Sequence, residues 1–469
     1  MLSRSRVRVR VTAGLTGLAA VALLTACGGS SSGGGAAPAS TKSSSSSASP
    51  SASVLAGGAS CSSSATKVTF WAWVPGMSRA VTAFNKSHPS ICVTLENPGA
   101  GLDEYTPLSN ALKAGSGAPD VAEIEFDELP SFEVQKQVVN LVPYGADKYQ
   151  SDFVPWAWQE VSQGSAVYAM PSDAGPAGFY YNSKLLAQYH LTPPATWAQF
   201  ATESATLHKD NPKVYMANFS ATDLQWLLTA MAQAGAFPYT YSGGSSVGIN
   251  WTGAAQAKFA SYWQQLIGAH DISTVNDANN SPLPNQNLDN GVVASSPLNS
   301  AWAPSYFQPD AKKTLGDWRA AALPQWSAGA SVSADWGGST YPVFKQSAHP
   351  AAAAEFSEWL TASPQAWAIL KTSPSELFPT YKPLLSDSSF KSLTYPVSGT
   401  SQPNQVFTAA AGEIQPVQWP PFMTEALNQA LTTFQPVLSG KETLQQAFSA
   451  FQSQEASYAK AQGFTVTTG

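Results

Sequence analysis

Lys67-Val68-Thr69-Phe70-Trp71-Ala72-Trp73 is a β-branched and aromatic run stopped by Pro75-Gly76, and it reads as a buried strand. The segments after it decide the sheet it belongs to. Met77, Ala80, Val81 and Phe84 recur at helical spacing before His88-Pro89, and Ile91-Cys92-Val93-Thr94-Leu95 is a second strand. A polar helix around Leu108 to Ala114 comes next, then the breaker Gly115-Ser116-Gly117-Ala118-Pro119, then Asp120-Val121-Ala122-Glu123-Ile124 as a third strand. Strand and helix alternating at this spacing build βαβ units, so the fold class is α/β with mainly parallel sheets flanked by helices.

The alternation resumes after Ala169-Met170-Pro171, with Gly178-Phe179-Tyr180-Tyr181 as a strand and Lys184 to Tyr189 as a helix. Thr196-Trp197-Ala198-Gln199 fits an N-terminal capping box, in which hydroxyl and amide satisfy each other's end of the helix start. Ser439-Gly440-Lys441-Glu442 is a second such box. It is expected to open a last helix carrying Leu444, Ala447, Phe448 and Phe451 on one face and ending at Gly463. Residues 240–250 and 276–300 are rich in Gly, Ser, Asn and Pro and read as long surface loops. No repeat of solenoid length is present.

At 469 residues the chain holds about three domains' worth of sequence, or two large lobes with extras. Charged residues are 12%, about half the usual quarter, while 43% hydrophobic residues supply an ample core. Four of the arginines fall in the first ten residues, and without them 20 basic residues face 30 acidic ones, a charge of −10. Only Arg79 and Arg319 remain, and no basic cluster exceeds Lys312-Lys313. That argues against nucleic acid and against a phosphorylated ligand, whose bidentate capture wants arginine. The histidines (His88, His190, His208, His270, His349) are scattered without ligand-like spacing, so no metal or other cofactor is expected. HExxH and P-loop motifs are absent.

Residues 1–10 are basic and residues 11–26 are an uncharged apolar run, too short for the ~20 residues that span a bilayer. Residues 1–26 therefore read as an export signal peptide. Leu24-Thr25-Ala26-Cys27 resembles the lipobox of bacterial lipoproteins, which implies lipidation of Cys27 after cleavage. Gly28 to Ser60 is almost wholly Gly, Ser, Ala and Pro, so residues 27–65 are expected to be a flexible tether with a mean reach of about 30 Å. With Cys27 carrying lipid, Cys61 and Cys92 are left as a pair, which in an exported protein reads as a disulfide; two unpaired buried thiols are the other reading. The expected location is the outer face of the cell membrane, or the periplasm where an outer membrane exists.

The stretches Val68 to Trp73, Gly115 to Glu125, Tyr168 to Leu186 and Asp335 to Leu360 together give the chain a family likeness. It resembles the extracellular solute-binding proteins of bacterial ABC importers, the maltose-binding-like group that delivers sugars. The resemblance implies the two-lobed periplasmic-binding-protein fold, type II-like, with lobe 1 from residues 66–172 and 331–376 and lobe 2 from residues 173–330 and 377–469. Pro171-Ser172-Asp173, the region near Ser331 and Phe378-Pro379-Thr380 would be the hinge crossings. It implies a monomeric, non-enzymatic receptor that captures a mono- or oligosaccharide and delivers it to ABC permease subunits driven by a cytoplasmic ATPase.

A sugar offers an apolar C–H face and a rim of hydroxyls, so its site needs flat aromatics and fixed polar groups. Ligands of open α/β sheets bind at the carboxyl ends of the strands, which points to Trp73, Glu125 and Asp127. Core packing beside Trp71 is the alternative for Trp73, and a solvated loop or a helix N-terminus for the two acids, the reading preferred for Glu128. Asp173, Tyr180 and Tyr181 lie at the first expected crossing, and one of the two tyrosines must face away because adjacent strand residues alternate. Trp336, Gly338 and Ser339 belong to a family-like turn, where glycine lets backbone amides approach a ligand. Trp251, Trp302 and Trp419 are aromatics in loop-like settings of lobe 2. Two other classes share the leader and tether: a lipid-anchored glycoside hydrolase, and a cell-wall-binding lipoprotein. A hydrolase needs two opposed carboxylates, whereas Glu123, Glu125, Asp127 and Glu128 all come from one short segment.

Overall fold

The computed structural model describes residues 53–54, 61–275, 283–373 and 375–469. The leader, Cys27 and most of the expected tether lie outside the described residues. Strand β2 (Thr66–Trp71) is central, as its composition requires, with Val68, Phe70 and Trp71 buried. It pairs in parallel with β3 (Ile91–Asn97) on one side and β4 (Val121–Ala122) on the other, and β1 (Ser53–Val54) adds antiparallel to the far edge of β3. The helix Met77–Ser87 is the crossover from β2 to β3 and buries Met77, Ala80, Val81 and Phe84. The helix Leu102–Ala114 returns the chain to β4 and begins six residues before the expected start at Leu108. Cys61 and Cys92 are joined by a disulfide, Cα–Cα 5.7 Å, which fastens the segment before β2 to β3.

The expected third strand is broken at Glu123. β4 ends at Ala122, and β5 (Ile124–Glu125) enters a different sheet, pairing with β14 (Ser339–Tyr341), which also pairs with β8 (Met170–Pro171). A hairpin of β6 (Ser162–Gln163) and β7 (Ala166–Val167) stands apart from it. A third sheet places β9 (Ala177–Asn182) between β12 (Ser295–Ser300) and β13 (Trp318–Ala321). A fourth runs β10 (Tyr239–Thr240), β11 (Ser246–Ile249), β15 (Thr465–Thr468). Among the described strands, parallel ladders are confined to β3-β2-β4 and to β11-β15, with single parallel bridges elsewhere, such as Tyr215 with Val293. The sheets centred on β9 and β14 are antiparallel because their strands come from distant segments instead of successive helical crossovers.

Four local expectations are corrected. Residues 240–250 hold most of the β10–β11 hairpin, with Val247 and Ile249 buried at strand spacing. Residues 276–300 include the helix Leu283–Asp289 and β12, whose Ser-Ser-Pro-Leu-Asn-Ser composition is overridden by pairing with β9. The last helix is Leu444–Ala461, opened by a capping box of Thr443 and Gln446. Ser439 instead closes the preceding short helix, its hydroxyl donating to Pro436 O at 3.1 Å. The apolar face of Leu444, Ala447, Phe448 and Phe451 is buried as expected. Thr196 caps its helix through Gln199 N, but the Gln199 amide oxygen accepts from Ala195 N rather than from Thr196.

The buried side chains fall into two cores. One holds Val68, Phe70, Phe84, Tyr341, Phe356 and Trp367, and the other Trp197, Trp226, Trp251, Trp263, Phe434 and Phe448. Phe378, Phe390, Phe407 and Ile414 pack with the first core, although residues 377–469 are expected in lobe 2. Two strands of chain run side by side between the cores: Thr380 N donates to Ser172 O at 2.9 Å and Ala174 N to Phe378 O at 2.8 Å. A third lies at Ser333, which bridges to Ile414.

Candidate functional site

Glu123 sits where the chain steps from β4 to β5. Its buried carboxylate accepts from Trp73 N at 3.0 Å, Val74 N at 3.2 Å and the Ser339 hydroxyl at 3.1 Å. The loop after β2 is thereby tied to the start of β14. Burial, reinforced by Asp173, pushes Glu123 up to about 8.

Past this step, β5 and the residues after it deliver Glu125, Phe126 and Asp127 to a narrow crevice of about 10 Å³ between the two cores. The opposite wall is Gln225 and Thr229 from the helix Leu224–Gln233, with Trp419, and Asp335 and Gly337 complete the lining. Gln225 Nε2 donates to Asp127 Oδ2 at 2.8 Å and to Glu125 Oε2 at 3.3 Å. The Tyr105 hydroxyl donates to the same Glu125 oxygen at 3.2 Å and accepts from Glu125 N at 3.1 Å. Thr229 donates to Asp335 O at 2.8 Å. Glu160 accepts from Val417 N at 3.0 Å and Trp419 Nε1 at 2.9 Å, and Glu128 accepts from the hydroxyls of Thr424 and Ser131. Acids on one side therefore meet neutral donors from the other.

Enclosure raises these acids. Burial pushes Asp127 up to about 6 and Glu160 to about 7, and burial together with the Asp127 charge takes Glu128 to about 8. Glu125 is raised by burial and by Asp127, and Asp335 by burial and by Glu160. Among the described residues no lysine or arginine lines the crevice. Arg319 is spent elsewhere, donating to the carbonyls of Gly316, Trp318 and Ser398. Such a surface repels anions and offers charged acceptors, the stronger kind, to a neutral ligand that brings its own hydroxyl donors.

Of the residues singled out in the sequence, Glu125, Asp127 and Trp419 meet in this crevice. Trp302 and Trp336 pair beside it, ring centroids 5.6 Å apart, where a Cβ on Gly337 would stand 3.2 Å from the Trp302 ring. Trp73 is half-buried against Tyr105, which holds Glu125. Ser339 and Asp173 lie behind the crevice around Glu123, and position 338 requires glycine both for its φ of 102 and because a Cβ there would meet Asp173 O at 2.7 Å. Tyr180 is core, packed on Phe407, and Tyr181 lies against Phe179, so neither joins the crevice. Trp251 is wholly buried in the second core, its indole N–H donating to Glu455 at 2.6 Å. Glu128 is the N-cap residue of the helix Leu129–Val134, as its sequence position suggests, and is buried there because Thr424 and Ser131 cover it. Gln225, Thr229 and Glu160 were not anticipated. The first two carried a signal, polar residues at a spacing of four that Gln233 continues, in a helix whose residues Leu224, Trp226, Leu227, Leu228, Ala230 and Met231 are buried and apolar. Among the described residues no group of three or more His, Cys, Asp or Glu is arranged to hold a metal, and no helix is long and apolar enough to cross a membrane.

Comparison with known proteins agrees with this architecture. The chain is 25% identical over 325 residues to the arabinooligosaccharide-binding protein of Halalkalibacterium halodurans, covering 66% of this chain and 71% of that protein. It is 27% identical over 326 residues to the lactose-binding protein of Rhizobium radiobacter, covering 63% and 71%. Among solved structures, the ABC transporter associated binding protein of B. animalis subsp. lactis Bl-04, in complex with beta-1,6-galactobiose, superposes with TM-score 0.73 at 28% identity, over 86% of this chain and 100% of that one. The galacto-N-biose-/lacto-N-biose I-binding protein of Bifidobacterium longum superposes with TM-score 0.74 at 22% identity, over 87% and 100%, and shares the two-lobed fold. Residues 73–367 match the profile of bacterial extracellular solute-binding proteins, and the chain belongs to that family.

Proposed function

We propose that the protein is the receptor of an ABC importer, closing two lobes on a neutral carbohydrate and presenting it to a membrane permease. The observation that carries this reading is the crevice itself: acceptors without a cation, a fixed indole in Trp419 and a tryptophan pair alongside. The sugars named for its relatives belong to the same ligand class. Glu125, Asp127 and Trp419 are the proposed ligand contacts, with Trp302 and Trp336 as a further aromatic surface. The paired segments at Ser172 and Thr380, and that at Ser333, act as the hinge, in keeping with closure around ligands by a few connecting residues. The apolar leader and Leu24-Thr25-Ala26-Cys27 support attachment through a lipid on Cys27 to the outer face of the membrane.

The test is a thermal-shift screen of the purified protein against mono-, di- and trisaccharides, amino acids and polyols. A ligand at 100 times its Kd adds about 2.7 kcal/mol, a rise of a few degrees in Tm. A sugar is expected to give that rise and to leave the sample chemically unchanged on incubation. A rise with amino acids alone, or release of hydrolysis products, overturns the proposal.

A further inference from the structure

The helix Pro155–Glu160 belongs to the first core, where its Trp156, Ala157 and Trp158 are buried, and it ends in a carboxylate that reaches the other wall. What it reaches is the segment that carries Trp419. That segment joins the helix Pro403–Ala411 to the helix Met423–Thr433 and crosses from Ile414, in the first core, to Phe422, in the second. Beyond a single bridge at Ile414 it forms no helix or strand, so side chains must set its course. Gln418 accepts from Tyr241 N at 3.1 Å on the second core. Glu160 takes the residues on either side of Gln418, Val417 N at 3.0 Å on Oε1 and Trp419 Nε1 at 2.9 Å on Oε2. Trp419 packs with the second core, its ring edge-on to Phe237 at 5.1 Å. The indole that lines the crevice therefore rests on one core and is pinned by the other.

Glu160 itself lies outside the crevice, in a recess on the far side of Trp419. The titratable groups that face it are Glu133 and Tyr241 in that recess and Asp127 and Asp335 on the crevice side, none of them a cation. Its two oxygens answer two N–H groups, donors that cannot reverse as a hydroxyl can, so the place suits a carboxylate and not an amide.

We infer that Glu160 is a positioning residue of the ligand site: reaching from the first core, it sets the place of the Trp419 indole carried by the second, so that the aromatic side of the crevice is completed when the two cores come together. The inference rests on the carbohydrate-receptor reading for what the indole meets, and adds to it a residue that acts on the ligand only through Trp419.

The test reads the indole directly, by heteronuclear NMR of the intact protein. Among the 15 tryptophans the Trp419 indole N–H signal is picked out by its loss in Trp419→Phe. It is expected to be protected from hydrogen exchange and to shift with pH around 7, where burial places the Glu160 carboxyl. Glu160→Gln should abolish that pH response, and Glu160→Ala should remove the protection as well. Calorimetric titration with mono-, di- and trisaccharides, lactose, galactobiose and arabinobiose among them, gives the second readout. Glutamine turns one acceptor into a donor and should weaken the saccharide that binds by about tenfold, and alanine by more, while Glu160→Gln keeps the Tm of the unliganded protein. An indole that exchanges freely, a signal indifferent to Glu160→Gln, or full affinity in Glu160→Ala overturns the positioning role and leaves the carbohydrate reading standing. Failure of every saccharide to bind overturns that reading, and with it the part Glu160 plays for a ligand, even where the indole signature is found.

Discussion

Gln225 is the amide from which both Asp127 and Glu125 accept, at 2.8 and 3.3 Å, so Gln225→Glu strikes the contact that joins the two walls of the crevice. The replacement keeps the size, removes both donated hydrogen bonds and brings a third carboxylate to two that are already enclosed. A hydrogen bond to a charged group is worth about 1.5–3 kcal/mol, so losing two costs the closed form about 3–6 kcal/mol. At 1.4 kcal/mol per tenfold, ligand affinity falls by about two to four orders of magnitude. The loss has a pH signature. Burial raises Asp127 from its ordinary 3.8 to about 6, so the closed form keeps a proton that an open, solvated carboxyl gives up. The cost of enclosing it is absent below about 3.8, grows with pH and is complete above about 6. The defect of Gln225→Glu should therefore be greatest at pH 8 and shrink toward pH 5. Gln225→Ala, which adds no charge, should lose less at pH 8. Calorimetric Kd and the radius of gyration from X-ray scattering, each at pH 5 and 8, read the effect. Native affinity and native ligand-induced compaction for Gln225→Glu at pH 8 would refute the bridging role.

Burial lifts Glu455 from 4.5 to about 8, so its share of stability is intact below about 4.5 and lost as pH rises through about 8. At 1.36 kcal/mol per pKa unit that share is about 5 kcal/mol, and Glu455→Gln should be more stable than the unaltered protein by up to that amount in urea unfolding at pH 9, and no more stable at pH 4.5. A Cβ at Gly178 in β9 would stand 2.5 Å from the Phe407 ring, so Gly178→Ala overpacks the seam between that strand and the helix Pro403–Ala411. It should cost about 1–3 kcal/mol, seen as a lowered Tm by calorimetry. Reducing Cys61–Cys92, a link across 31 positions, should cost about 3–4 kcal/mol by the chain-entropy account, measured as the shift of the urea midpoint with and without reductant.

The features legible in the sequence are the local ones. β2, β3 and the helix between them were readable because strand composition, the Pro75-Gly76 stop and helical spacing all lie within about thirty residues of one another. Trp251 misled for the opposite reason. In a Gly- and Asn-rich setting an indole looks exposed, yet Glu455, 204 residues on, satisfies its N–H and makes burial possible. The site divides the same way. Glu125 and Asp127 were legible from their place at a strand end, whereas Gln225 answers to Asp127 across 98 residues and Glu160 to Trp419 across 259. A contact between two cores is a property of pairs of segments, and no periodicity within either segment announces it.

The chemistry of those pairs also bears on what the crevice is for. Glu125, Asp127, Glu128 and Glu160 are enclosed against neutral donors, and burial raises every one of them. If their task were only to hold the two cores together, apolar residues of similar size would do so without the desolvation cost of a buried charge. A carboxylate differs from an apolar contact in carrying two oxygens that can each accept more than one hydrogen bond. Asp127 and Glu125 can keep Gln225 and accept a ligand hydroxyl beside it, so the groups that seal the empty crevice are also those able to grip a ligand within it. Those added contacts, made where the two walls meet, are how a ligand acquires a different affinity for the closed arrangement than for the open one, and only such a difference lets it drive closure.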